Sequence, residues 1–276
     1  MLQFFIPITC MKQFVRNCSL LFIILILFTE GVFAQIDSVR FNGAYFKKYW
    51  TDTKSIVVSP VKWDSKDWTK LGVFVAAEGG ILFTDKSVKN FFQEHRTVSL
   101  DKVSKNFLEP FGGNYSLLIM SGFLAHGILA KNNKSVSTSL LSLESFLLAS
   151  VIVRIPKTLV GRDRPDIASD QFQFNGPFQG NSFPSGHTTA VFSVASVIAT
   201  QYRETKWVPI TAYSVASLVG LSRIYDNKHW LSDVVAGAAI GTLVGNLVSH
   251  RSSDSKLTFV PIGSSNFQGM QLTYVW

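Results

Sequence analysis

The sequence predicts an all-α fold: a helical bundle of about six core helices, followed by a short C-terminal β-hairpin. Two observations predict it. Six apolar stretches, at residues 71–83, 115–130, 138–155, 189–203, 208–222 and 230–248, are each too long for a strand and are bounded by polar residues, Gly or Pro. Behind them the period changes. Met270, Leu272, Tyr274 and Trp276 alternate with Gln271, Thr273 and Val275, which is the two-residue repeat of a strand. With 276 residues the chain is long enough for one sizeable domain with a proper core.

Taken in order, the chain opens on a leader. Lys12 and Arg16 precede an apolar run at residues 20–28, and residues 32–34 end in a small-x-small site. That is the pattern of a secretory signal cleaved after Ala34, with an uncleaved anchor as the alternative. Both cysteines, Cys10 and Cys18, lie in this leader, so the exported part has no disulfide to form. Residues 35–68 read as an irregular aromatic arm with Pro60 and three tryptophans, Trp50, Trp63 and Trp68. Residues 69–250 form the helical domain, and residues 251–276 a β-like tail. Two segments of that tail, 256–262 and 269–276, are joined by Gly263-Ser264-Ser265-Asn266. The tail reads as a small hairpin packed on the bundle; its aromatic end also fits an outer-membrane targeting strand.

The net charge of +8 favours anionic partners, either phosphorylated substrates or anionic lipid surfaces. Basic and aromatic residues do not alternate as in a nucleic-acid binder, so nucleic acid is not expected as a partner. Most of the apolar stretches fall short of the roughly 20 residues of a membrane-spanning helix. The first is interrupted by Glu78-Gly79-Gly80. The expected location is the cell envelope, membrane-associated and facing the periplasm, with a soluble periplasmic protein as the alternative.

Three islands carry the chemistry. Lys157 is followed by Arg164-Pro165; Pro184-Ser185-Gly186-His187 opens the fourth apolar stretch; Ser222-Arg223 is followed by His229 and Asp233. A carboxylate four residues from an imidazole lies on the same helical face, and can hold one ring nitrogen as N–H while the other attacks phosphorus. Alone, that pair also reads as a helix start with a capping aspartate. Ser185 stands at an N-cap position and Gly186 lets backbone N–H groups approach an anion. His187 in the first turn can protonate a leaving oxygen. Arg164 offers a planar fork and Lys157 a point charge for phosphoryl oxygens, with Pro165 expected to stop the helix before that loop. Arg162 is weighed as a further contributor and left out of the phosphate-binding set, and with Arg154, Lys157 and Arg164 it also reads as a basic cluster at a helix end.

These islands, KTLVGRDRP, PSGH and SRIYDNKHWLSD, resemble the type 2 phosphatidic acid phosphatase superfamily, whose members share KxxxxxxRP, PSGH and SRxxxxxHxxxD. The resemblance covers about residues 115–248. It implies an all-helical bundle with the site at one end, His229 as nucleophile forming a phosphohistidine, Asp233 orienting it and His187 as general acid. It further implies that Lys157, Arg164, Arg223 and the Ser185-Gly186 turn bind the phosphoryl oxygens. No metal or other cofactor is implied, and two histidines among cationic residues make a poor cation site. The implied activity is hydrolysis of a phosphomonoester or pyrophosphate, with a lipid as the favoured substrate. A soluble broad-specificity acid phosphatase and a vanadium-dependent haloperoxidase are the alternatives within the same superfamily.

Overall fold

The computed structural model describes Lys54, Val58 and residues 61–250, and the backbone alone of 59–60, 251–253, 257–264 and 267–274. The leader and most of the aromatic arm lie outside the described residues. A 3-10 turn (Ser59–Lys62) leads to α1 (Ser65–Leu82), whose first turn is capped by Asp64 accepting from the Asp67 amide. The helix therefore starts inside the segment expected to be irregular. Next come α2 (Asp85–Glu94) and α3 (Val98–Val103), the latter capped by Thr97, and then a π-helical turn, Ser104–Leu108, and a 3-10 turn, Glu109–Gly112. Neither α2 nor α3 was expected. The sequence of α2 is mostly charged and polar, and the three apolar residues of α3, Val98, Leu100 and Val103, are all exposed.

The other five expected stretches lie in α4 (Asn114–Leu129), α5 (Asn133–Ile152) with its short continuation α6 (Arg154–Val160), α7 (Gly186–Gln201), α8 (Trp207–Tyr225) and α9 (Leu231–Ser253). The chain is mostly helical, as the apolar periodicity predicts. In the tail, the backbones of Leu257–Ser264 and Phe267–Tyr274 run antiparallel, and a hairpin packed on the bundle stays a proposal.

Helix α7 is the centre, packing on α5, α8 and α9. Its contact with α9 is close because Gly237, Gly241 and Gly245 recur every fourth residue along α9. A Cβ at these positions would run into the carbonyl oxygens of Ser185, Thr189 and Ser193. Small residues at this spacing let two helix backbones approach. Around this contact Leu148, Val197, Val244 and Val248 are buried together, and Met120, Val194 and Ile198 form a second cluster against α4. Each such aliphatic side chain contributes about 1.5–3 kcal/mol on burial. The chain reverses direction at 130–132, 202–206 and 226–230. The start of α7, the start of α9 and the end of α8 consequently meet at one end of the bundle.

Candidate active site

That end collects all three islands. Lys157 lies on α6, which stops at Gly161 in the left-handed region (φ 59°), where a Cβ would collide with the Gly176 carbonyl. Gly161, rather than Pro165, ends the helix and turns the chain into the arginine loop. The Lys157 ammonium donates to the carbonyls of Asn181 (2.6 Å) and Ser182 (3.3 Å), just ahead of α7. Ser185 is the N-cap of α7: its hydroxyl accepts from the Thr188 amide and hydroxyl, and its amide donates to the Asp233 carbonyl at 2.9 Å. The expected cap is thus present, and its hydroxyl is already engaged.

His229 stands in the turn before α9 rather than on it, because the helix begins at Leu231. Its Nδ1 lies 3.5 Å from Oδ2 of Asp233. Asp233 is fully buried and held from three directions. Oδ1 accepts from Arg162 at 2.8 Å, while Oδ2 accepts from the Ser182 hydroxyl and from the Trp230 amide at 2.9 Å. Burial pushes His229 below the ordinary imidazole range, and Lys157 and Arg164 push the same way against the opposing pull of Asp233.

Arg162 is the residue that sequence reasoning passed over. It is fully buried, and its guanidinium reaches Asp233, Ser232 Oγ (2.7 Å), Asp85 Oδ2 (2.8 Å) and the Gln171 carbonyl (2.6 Å). Its charge also lies 5.2 Å from the ring centres of Phe174 and Trp230. Asp85, at the start of α2, completes the cluster: Oδ1 accepts from the Ser232 amide at 2.9 Å, and Oδ2 accepts from the Ser232 hydroxyl as well as Arg162. Asp85 therefore caps the first turn of α9 and neutralises Arg162 in one contact. Glu78 of α1 is buried within electrostatic reach of this cluster, with neither carboxylate oxygen partnered among the described residues. A Gly-Arg pair ahead of Arg164-Pro165 was the only local hint of Arg162. Asp85 had none, being 77 residues away from the arginine it pairs with.

The remaining cations differ in how free they are. Arg223, in the last turn of α8, is 2% exposed; it is paired with Asp226 (2.7 Å) and Glu109 (3.5 Å). Among the described residues, Arg164 forms no ion pair and its buried Nε has no partner. Its charge is felt by both His187 and His229. His187 packs against Gly112, where a Cβ would fall inside the imidazole ring. Burial first, then Arg223 and His229, push His187 down to about 4, with Glu109 alone opposing. The site is thus a cationic recess holding two neutral imidazoles, one of them tethered to a carboxylate. Such a recess attracts a phosphoryl group, whose negative charge would in turn favour protonation of His187.

Residues 139–256 match the family model of the PAP2 superfamily. Over 97 residues the chain is 41% identical to lipid A 1-phosphatase of Porphyromonas gingivalis, covering 35% of this chain and 20% of that protein. It is 27% identical over 142 residues to undecaprenyl-diphosphatase of Sulfolobus acidocaldarius, covering 51% of this chain and 66% of that one. Of solved structures, LpxE of Aquifex aeolicus aligns with a TM-score of 0.48 at 25% identity, over 59% of this chain and 93% of its own. The chain thus spans only a part of the curated relatives it matches. The matched segment contains every residue of the three islands, and over that segment the chain resembles the PAP2 superfamily.

Proposed function

We propose that the protein is a metal-independent phosphatase of the cell envelope that hydrolyses a phosphomonoester or pyrophosphate of a membrane lipid through a phosphohistidine. One observation carries the reading: Oδ2 of Asp233, fixed by Ser182 and the Trp230 amide, faces His229 Nδ1 at 3.5 Å in the same recess that gathers the residues of all three islands. Nε2 of His229 attacks phosphorus as the bond to the leaving oxygen breaks, and His187 gives that oxygen its proton. Water then attacks the phosphohistidine, His187 takes back a proton, and the P–N bond breaks to release phosphate. Arg164, Lys157, Arg223 and the N–H groups at the start of α7 hold the phosphoryl oxygens. Arg162 and Asp85 are positioning residues, which act on His229 through Asp233. The cationic surroundings of the histidines disfavour a metal ion in the same recess.

The lipid assignment is supported by the outer faces of the bundle. Leu147, Val151, Ile155 and Leu159 recur every fourth residue along α5 and α6 and are 46–60% exposed; Ile210 and Leu218 on α8 and Leu243 and Leu247 on α9 are exposed as well. Exposed apolar area of this extent marks contact with a membrane or a partner. Two segments, Asn133–Val160 and Leu231–His250, are long and apolar enough to cross a bilayer. The relatives named for lipid A and undecaprenyl diphosphate act on lipid phosphates, as their names state. At the end of the bundle away from the site, Lys131, Lys134, Arg203 and Lys206 are exposed with Glu204 as the one acid in those turns. Such a basic excess marks a cytoplasmic side and supports a site facing the periplasm. The signal peptide in this reading falls outside the described residues.

The test is phosphate release in EDTA, comparing undecaprenyl pyrophosphate with p-nitrophenyl phosphate and using His229→Ala as the blank. Preference for the lipid and a silent variant are expected. Preference for the soluble ester would make the protein a soluble-type acid phosphatase. Activity surviving in His229→Ala would overturn the nucleophile.

A further inference from the structure

A second site lies at the other end of the bundle. Residues 186 and 202 are separated by the length of α7, about 24 Å at 1.5 Å per residue. There a cavity of about 640 Å³ opens between the end of α4, the first turn of α5 and the start of α8. This is well within the size of small-molecule sites. Ile119, Phe123, Trp207 and Val208 form its apolar walls, and His126, Ser135 and Tyr202 form its polar end. The polar groups are joined: His126 Nδ1 is 2.9 Å from Ser135 Oγ, which is 3.2 Å from the Tyr202 hydroxyl. Ser135 is 1% exposed and its amide is capped by Asn132 at 3.0 Å, so this end of the cavity is built rigidly. With Nδ1 engaged, Nε2 of His126 is the nitrogen left for a ligand. The Lys134 ammonium lies 4.6 Å from the Tyr202 ring centre at the same place.

We infer that this cavity binds an anionic phospholipid, with one acyl chain along the apolar walls and the phosphate at His126, Tyr202 and Lys134. Three features select that occupant. The walls suit a hydrocarbon chain, whereas a hydrogen-bonding cluster at one end requires a polar group to meet it. The rim carries Lys131, Lys134, Arg203 and Lys206 against Glu204, which is complementary to a negative headgroup. Trp207 is 67% exposed beside Lys206, a pairing found where a helix meets the headgroup layer. The lipid is a resident ligand distinct from the phosphatase substrate, since none of the three islands lines the cavity. The inference rests on membrane association and not on the phosphohistidine mechanism.

Trp207 supplies the readout. The full chain in neutral detergent is mixed with phosphatidylglycerol or phosphatidylcholine carrying brominated chains, and quenching is taken as the difference from Trp207→Phe. Phosphatidylglycerol is expected to quench at about ten-fold lower mole fraction, since each nearby Lys favours an anionic lipid. Gly122→Phe fills the cavity, and the Cβ of a residue at Gly122 meets nothing within 4 Å, so the bundle accommodates the change. It should erase the preference while leaving turnover of a soluble ester as it was. Lys134→Glu with Lys206→Glu should erase it without altering the walls, and decides the matter should Gly122→Phe fold poorly. Equal quenching by the two lipids, or a preference that survives both variants, would mean ordinary boundary lipid and overturn the site. A chain inactive towards phosphate esters that still shows the preference would lose the phosphatase reading and keep this one.

Discussion

The segment that matches the superfamily, 139–256, and the segment ahead of it differ in what they contribute. The first holds every nucleophile, acid and cation of the proposed chemistry. The second holds none of them, yet Asp85 from it neutralises Arg162 and caps α9, and Gly112 from it bounds the ring of His187. Reactive groups can thus be carried by one stretch of chain while their alignment is set by another. The reason is energetic. A guanidinium buried as deeply as Arg162 is tolerated only with full compensation, and Asp233 accepts from only one of its five N–H donors.

This contrast is open to attack, beginning with its largest consequence. Asp85→Ala strands a buried charge and should cost about 3–5 kcal/mol in denaturant-induced unfolding. Asp85→Asn keeps the shape, and should lower kcat about 10–100-fold with KM little changed, because Asp233 and hence His229 lose their alignment. A kcat equal to wild type would reduce the N-terminal segment to scaffolding. Gly112→Ala comes next. Crowding the His187 ring should cost about 1–3 kcal/mol and lower kcat by roughly ten-fold; unchanged kcat would remove Gly112 from the site.

A smaller effect concerns pH. Glu109 is the one group that raises His187, whose value is pushed down to about 4. Glu109→Gln should move His187 lower still, so the alkaline limb of kcat/KM against pH, which reports the group that must carry the proton, should shift downward. An upward shift would contradict His187 as the acid. The smallest effect belongs to Glu78. Burial, with Asp85 and Asp233 nearby, pushes it up to about 7 from an ordinary 4.5. A raised folded value means stability is fully present below 4.5 and is lost as pH rises through about 7. Glu78→Gln should therefore gain on the order of 1 kcal/mol at pH 8, discounted for partial exposure, and almost nothing at pH 4. Equal unfolding midpoints at both pH values would show that Glu78 carries no such penalty.

Much of this molecule was legible in the chain. The six long apolar stretches lie in helices, because their length and bounding residues admit little else. The motif residues were legible because each island pairs a chemistry with a local backbone device, such as Ser185 at an N-cap or Arg223 in a last turn. The Gly237, Gly241 and Gly245 spacing was present in the sequence too, as a signature of close helix approach that went unread. Other features were not legible. Helices α2 and α3 carry too little apolar pattern to stand out, and Gly161 ends α6 through a left-handed turn that Pro165 obscured.

By itself, then, the sequence determined a mostly helical chain, since the length and bounding residues of the apolar stretches suffice for that, and its motifs nominated the eight residues of the proposed site through their resemblance to a family. Only the tertiary structure decided that Arg162 lies at the centre of a buried cluster, that Asp85 is its counter-ion and that Arg223 is already paired. It also decided that His126, Ser135 and Tyr202 close one cavity far from the three islands. These are contacts between residues distant along the chain, and a buried charge finds its partner only when packing excludes water and leaves it one choice.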